Sequence, residues 1–133
     1  MLQTANIAFF IFHTALIFFN LFGWAWKKTR PWNLLTLLLT VLSWCVMGIW
    51  YGMGYCICTD WHWQIRQAMG IHDHADSYLV LLVRTISGWN PPTQLVNTVA
   101  ACALTISIAL SVALNVKDWR AGERRFAVHP KDN

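Results

Sequence analysis

The sequence predicts an all-α membrane protein, because it is strongly apolar and contains three long uncharged runs. Of its 133 residues, 56% are hydrophobic and 12% are charged, and the mean hydropathy is +0.41. A chain of this length predicts a single membrane domain, residues 1–133. The predicted elements are transmembrane helices at about 2–24, 32–55 and 93–116, and two short interfacial helices at about 60–69 and 77–88.

The first predicted span, residues 2–24, contains no charged residue and can cross a hydrocarbon layer of about 30 Å. A cleaved signal peptide would have a basic start and a small-residue cleavage site, whereas Met1 is followed by "LQTAN" and the core ends in "GWAWKK". We therefore expect the segment to be retained as a helix. The runs 32–55 and 93–116 are also uncharged and long enough to span.

Residues 77–89, between the second and third runs, are apolar apart from Arg84. As a helix they would rise only about 20 Å, which is too short for a crossing. Asp76 or Ser77 can cap this helix, and it should stop near Gly88, before "NPP". We predict that the helix lies on the membrane surface or dips into it.

Basic residues cluster after the first and after the last predicted span. They are Lys27, Lys28 and Arg30 in the first cluster, and Lys117, Arg120, Arg124 and Arg125 in the second. Because basic residues near membrane ends stay cytoplasmic, both clusters should lie inside. This predicts an external N-terminus, an extracytoplasmic cap at residues 56–92 and a basic cytoplasmic tail at residues 117–133. The net charge of +4 therefore indicates the lipid bilayer as a partner and not nucleic acid.

The first cap helix carries polar residues that could contact a ligand or a partner, among them Asp60, Trp61 and Arg66. Asp60, His62 and Arg66 could together act on a lipid headgroup, as in a transferase. The favoured alternative is structural: Thr59 or Asp60 caps the helix, and His62 and Arg66 form an i, i+4 pair. The chain has no Gly-rich phosphate loop, G-x-S-x-G elbow or H-E-x-x-H motif, so no catalytic residue is predicted and a non-enzymatic role is favoured.

A metal site is the alternative interpretation of the cap, because Cys56, Cys58, His62, His72 and His74 could supply ligands for zinc or copper. Structural zinc sites usually draw on pairs separated by two to four residues, so a C-x-C with a nearby H-x-H matches no standard signature. The favoured interpretation is that the protein has no cofactor, with a small buried cysteine and solvated histidines.

A redox interpretation uses the same two thiols, Cys56 and Cys58, because disulfides can form outside the cytoplasm. A C-x-C bridge is strained and oxidising, and no C-x-x-C motif accompanies it. We expect a modifiable Cys58 and a packed Cys56 that reacts slowly.

An ionisable residue in the first span, His13, suggests function, because such groups are costly inside a bilayer. Asn20 lies seven residues further on the same helix face. Two roles remain open for this polar stripe. It can bond to other spans, for example to Thr40, Ser43 or Asn97, or it can contact a buried ligand.

Small residues on the second and third spans predict close helix packing, either within the bundle or with a membrane-protein partner or a second copy. They are Gly48 and Gly52 on the second span, and Ala103, Ser107 and Ser111 on the third.

Three features of the sequence resemble the small bacterial membrane family catalogued as domain of unknown function 2784. They are a histidine in the first span, "GIWYGMGYC" at the end of the second span and "CICTDWHWQIR" in the cap. Six residues match the family pattern: His13, Cys56, Thr59, Asp60, Trp61 and Arg66. Cys58 and His62 depart from it. The family has no established activity, so the resemblance implies topology and not chemistry.

Together these features favour a small bacterial inner-membrane binding, assembly or accessory protein. The alternative is a metal-binding or thiol-redox membrane protein that acts through its cap.

Overall fold

The computed structural model describes residues 1–52, 56–72 and 77–128, with side chains as far as Gly122. Its helices are α1 (Leu2–Phe22), α2 (Arg30–Tyr51), α3 (Ile57–Ala68), α4 (Tyr78–Ser87) and α5 (Thr93–Val128). No strand occurs in these residues. Three helices are long and apolar enough to cross a membrane, while α4 is apolar but short. The prediction of an all-α membrane protein with three spans and two short helices is confirmed.

Several helix ends differ from the predicted ones. Helix α2 stops at Tyr51 because Gly52 adopts φ 90°, a conformation that favours glycine. Helix α3 begins at Ile57 with an extended Cys56 as its N-cap residue, so the prediction that Thr59 or Asp60 caps it was wrong. For α4, Ser77 is the N-cap residue, as one of the two predicted alternatives had it. Its hydroxyl accepts a hydrogen bond from the Val80 amide.

The third span continues as one helix, α5, into the predicted basic tail at 117–133. Residues 129–133 lie outside the described part of the chain, as do residues 53–55, where the second span was predicted to end. The small residues Ser107 and Ser111 are buried within the chain's own bundle, and Gly52 is exposed at the end of α2.

The turn between α1 and α2 is closed by polar contacts. The fully buried Asn33 amide nitrogen donates to the Phe19 carbonyl at 2.7 Å and to the Asn20 carbonyl at 3.3 Å. The Thr29 hydroxyl donates to the Gly23 carbonyl at 2.6 Å. These bonds satisfy carbonyls at the end of α1 that have no partner within their helix.

One end of the bundle, here called the basic end, joins α2 to α5. The Arg30 guanidinium donates to the Asp118 carboxylate at 2.7 Å, and the Asn115 amide donates to the Arg30 carbonyl at 3.1 Å. The start of α2, next to the first basic cluster, and the part of α5 that carries the second cluster therefore meet at the same end of the molecule.

The opposite end, here called the cap end, is covered by α3 and α4. Trp63 from α3 packs with Tyr78 and the following apolar residues of α4, and this cluster contacts Phe10 of α1 and Val96 of α5. Helix α3 packs mainly along α1. The cap helices therefore lie against the N-terminal half of α1 and leave a space beside α2.

Candidate functional site

Three polar residues of α1, spaced by seven, lie on one helix face: Asn6, His13 and Asn20. Each contacts a different part of the chain. Asn6 lies 2.8 Å from His62 of α3, and His13 lies 3.5 Å from Cys56 at the start of α3. The Asn20 amide donates to the Thr40 hydroxyl of α2 at 2.8 Å. This polar face therefore connects α1 to both the cap and the second span.

His13 lies at the centre of this face and is 5% exposed. Its Nε2 is 3.5 Å from the Cys56 sulfur, and its ring stacks on the Tyr78 ring with 3.9 Å between centroids. Its Nδ1 has no hydrogen-bond partner among the described residues. One nitrogen of the imidazole therefore faces a thiol, and the other is buried without a partner among the described residues.

The orientation of Asn20 follows from a chain of hydrogen bonds. The Thr40 hydroxyl donates its proton to the Thr36 carbonyl at 2.8 Å, so it can only accept from Asn20. The amide nitrogen of Asn20 therefore faces Thr40. Its Oδ1 is left without a partner in the described part of the chain, although the residue is only 6% exposed.

Tyr78, at the start of α4, is a member of the site that the sequence did not reveal. Its hydroxyl donates to the Phe10 carbonyl at 2.8 Å and lies 2.9 Å from the Thr14 hydroxyl. Burial raises the pKa of this phenol, and the Thr14 contact opposes the effect. A tyrosine in a predicted interfacial segment has an ordinary explanation, so only its contacts with α1 identify it.

Cys56 joins α3 to the rest of the site. Its sulfur is 3.1 Å from the Thr59 hydroxyl, and the next amide, that of Ile57, donates to the Ser43 hydroxyl at 3.1 Å. A hydrogen bond from Cys58, followed by the contacts with His13 and Thr59, lowers the pKa of Cys56 to about 4 against the opposing effect of burial. The same contact with Cys56, reinforced by burial, raises the pKa of Cys58.

His62 is fully buried against α1. Its Nε2 lies 2.8 Å from the Asn6 side-chain oxygen and its ring stacks on Phe9 with 6.3 Å between centroids. Burial, then the charges of Arg66 and His13, lower the pKa of His62 to about 4, so it is neutral at pH 7. Asn6 was not recognised from the sequence, although it precedes His13 by the same seven residues that separate His13 from Asn20.

A cavity of about 370 Å³ lies beside these groups. Its wall is mostly apolar, and it is here called the polar cavity because several polar side chains contribute to it. His13, Asn20, Cys56, Cys58 and Asn97 contribute to its wall. A second, apolar cavity of about 390 Å³ extends between α1, α4 and α5. Six residues line both cavities: Ile17, Asn20, Thr40, Trp44, Leu79 and Ala100. The volumes are within the usual range for small-molecule sites.

The other predicted contact residues lie outside the lining of both cavities. The Asp60 carboxylate accepts a hydrogen bond from Gln64 at 2.7 Å, and the half-exposed Trp61 packs edge-on against Phe9. Arg66 lies 5.6 Å from the centre of the Trp63 ring. The structure therefore brings His13 and Asn20 together at one cavity and separates them from Asp60, Trp61 and Arg66.

The predicted metal ligands are not gathered in the described residues, which contain no group of three His, Cys, Asp or Glu side chains able to hold a metal ion. Cys56 and Cys58 are free thiols that lie together, whereas His62 contacts Asn6 and His72 is exposed. His74 lies outside the described residues.

Comparison with known proteins identifies the family but no characterised relative. No curated protein and no solved structure is detectably similar to the chain. A family model described as protein of unknown function (DUF2784) matches residues 3–116, which include α1, α2, the cap and most of the third span. The chain therefore belongs to the DUF2784 family of proteins of unknown function.

Proposed function

We propose that this protein binds a lipid-like amphipathic molecule at the cap end of its membrane bundle. The polar group of the ligand occupies the polar cavity beside His13 and Asn20, and its apolar part occupies the apolar cavity between α1, α4 and α5. The ligand carries a hydroxyl or N–H group, because the Asn20 Oδ1 can only accept a hydrogen bond.

The observation that carries this proposal is that two residues lining the polar cavity each have a buried polar atom without a partner in the described part of the chain. His13 Nδ1 and Asn20 Oδ1 are buried and have no partner among the described residues. Leaving a buried polar group unsatisfied costs roughly 1–3 kcal/mol, so a ligand that bonds to both atoms recovers that free energy. The shared walls of the two cavities favour a ligand with one polar and one apolar part.

We further propose that the protein lies in the bacterial inner membrane, with its N-terminus and cap outside and its basic end in the cytoplasm. The distribution of basic residues supports this orientation. The Arg30–Asp118 ion pair is consistent with it, because it brings the ends of α2 and α5 that carry the basic clusters to one side. Ligands would then enter from the outer leaflet or the space outside it.

Retention of lipid by purified protein tests the binding proposal. Ala100 lines both cavities, so Ala100→Phe should fill the space that joins them. Ala109, exposed on the same helix, provides a matched control in Ala109→Phe. Both variants are purified in mild detergent, and co-purifying lipids are extracted and measured by mass spectrometry.

We expect the wild-type protein and Ala109→Phe to retain the same hydroxyl- or amine-bearing lipid near one molecule per chain, and Ala100→Phe to lose it. Asn20→Leu should weaken retention, because it removes the acceptor without emptying the apolar cavity. Equal retention by Ala100→Phe and the wild type would refute binding in these cavities.

A further inference from the structure

We propose that Cys56 and Cys58 are a redox-active pair, in which Cys56 attacks a disulfide substrate and Cys58 resolves the mixed disulfide that results. Both cysteines line the polar cavity. The proposal goes beyond ligand binding and does not depend on it. It also reverses the order of reactivity expected from the sequence, in which Cys58 was the more modifiable thiol.

The position of Cys56 is that of an activated nucleophile. As the N-cap residue of α3, with φ −126° and ψ 160°, it lies at the positive end of the helix dipole. Its sulfur is 3.1 Å from the Thr59 hydroxyl and 3.5 Å from His13 Nε2, and both groups can donate a hydrogen bond to a thiolate. Helix N-termini and adjacent histidines are the surroundings that make cysteines reactive.

Cys58 is the neighbouring thiol that a resolving step requires. It hydrogen-bonds to Cys56, which lowers the pKa of Cys56 and raises that of Cys58. Cys56 is therefore the thiol of the pair that ionises more readily. Both residues are free cysteines, so the reduced pair is the form described by the structure.

An independent observation indicates that a ligand approaches these thiols. His13, which contacts Cys56 through Nε2, has an unpartnered Nδ1 and is 5% exposed in the wall of the same cavity. Because His13 and Cys56 line the same cavity, His13 acts as a positioning residue for both thiolate and substrate.

The reaction is a two-step exchange. The Cys56 thiolate attacks one sulfur of the substrate disulfide, the substrate S–S bond breaks, and the departing thiolate takes a proton from water. The Cys58 thiol then loses its proton and attacks the Cys56 sulfur, which releases the second substrate thiol. The substrate disulfide gains two electrons and two protons, and the protein dithiol becomes a Cys56–Cys58 disulfide. A second dithiol then reduces the Cys56–Cys58 disulfide by the same two-step exchange and is itself oxidised to a disulfide.

Exchange with dipyridyl disulfide, a small apolar probe, tests the pair. The protein is first changed by Cys45→Ala and Cys102→Ala, because both residues are exposed on the bundle surface and would add background. At pH 6, where an ordinary thiol is almost entirely protonated, one equivalent of probe should release two thiopyridones per chain. The product should be an intramolecular disulfide, seen by mass spectrometry as the loss of two hydrogens.

Four further substitutions in this background separate the roles. Cys58→Ser, whose hydroxyl can still donate to Cys56, should release the first thiopyridone at a similar rate and stop at the mixed disulfide. Cys56→Ser should react at least about tenfold more slowly, because Cys58 alone has little thiolate at pH 6. His13→Ala should slow the first step, and His13→Gln, which retains a donor, should restore part of the rate.

The proposal is overturned if Cys56 reacts no faster than Cys58, if the background protein stops at the mixed disulfide, or if the thiols react only after a chelator has been added. The probe is small and the exchange assay contains no added lipid. Thiol exchange can therefore fail in a protein that retains lipid, and it can succeed in a protein that does not. The two proposals are therefore distinguished by their own measurements.

Discussion

At the scale of single residues, the cap end is organised by buried polar side chains with long-range partners. Asn6, His13 and Asn20 use one face of α1 to contact α3 and α2. Inside a bilayer such contacts contribute roughly 1 kcal/mol each, while an unsatisfied group costs more. His13 and Asn20 are therefore important for stability as well as for the proposed ligand site, and Asn6 is important for stability.

Replacement of His13 by Ala should lower thermal stability in detergent, because it removes the contacts with Cys56 and Tyr78. We expect a loss on the order of 1 kcal/mol in the free energy of unfolding. Phe12→Ala, at an exposed neighbouring position, is the control and should have little effect. Unchanged stability in His13→Ala would contradict a structural role and leave only the ligand role.

Acidification should destabilise the cap through His62. Its folded-state pKa of about 4 lies below the usual 6.5, so the unfolded chain takes up a proton before the folded chain does. The stabilisation is complete above pH 6.5 and is lost as the pH falls from 6.5 to 4. We expect thermal denaturation to show a loss on the order of 1–3 kcal/mol over this range.

His62→Gln, which can still donate to Asn6, is the matched variant for this measurement. It should have a flatter stability profile between pH 6.5 and pH 4. A profile as steep as that of the wild type would show that the acid sensitivity does not come from His62.

At the scale of helices, the apolar runs predicted the spans well, because length and composition determine which helices can cross a bilayer. The ends were less predictable, because they depend on single backbone conformations. Gly52 ends α2 through a positive φ, and α3 starts at Ile57, directly after the extended Cys56 and three residues before the predicted start at residue 60. A side-chain pattern does not show where the backbone changes direction.

The site was only partly predictable for a related reason. His13 and Asn20 are recognisable because polar residues are costly within an uncharged run. Their partners lie in other elements, and the pairing of His13 with Cys56 and Tyr78 depends on how α3 and α4 fold back onto α1. The sequence of a single chain does not show which residues of different helices come into contact.

Gly23 provides a test of the turn between α1 and α2. A Cβ at this position would lie 2.9 Å from the Asn33 side-chain nitrogen and 3.0 Å from the Phe19 ring. Because Asn33 is fully buried and bonded to two carbonyls, it has little room to move. We expect Gly23→Ala to lower the free energy of unfolding by about 1–3 kcal/mol, as measured by thermal denaturation.

Gly122 is the matched control for this substitution, since it lies in helix α5 and a Cβ added there would meet no atom within 4 Å. Gly122→Ala should be neutral or should stabilise by up to about 1 kcal/mol. If both substitutions had equal effects, the close approach at Gly23 would not be important for stability.

At the scale of the whole molecule, the basic end and the cap end lie at opposite ends of the bundle. The ion pair between Arg30 and Asp118 connects the ends of α2 and α5, while α3 and α4 lie on the N-terminal half of α1. This arrangement is consistent with two crossings between the two basic clusters, by α2 and α5, because α4 is too short to span.

Accessibility in intact cells tests the proposed orientation. In a chain whose four native cysteines are replaced by alanine, single cysteines are introduced at the exposed positions Gln67 in α3 and Ala121 in α5. We expect a membrane-impermeant thiol reagent to label Gln67→Cys, and to label Ala121→Cys only after the cells are opened. Labelling in the reverse order would show that the chain is inverted.

The long-range contacts of α1 also affect how the protein is made. The partners of Asn6, His13 and Thr14 come 43 to 64 residues later in the chain than the residues they contact. During synthesis α1 and α2 emerge before Cys56, His62 and Tyr78, so the first helix reaches the membrane with its polar face unpaired. Packing of α1 into the bundle should therefore be completed only when the cap has been made, which makes folding of this small protein a late event.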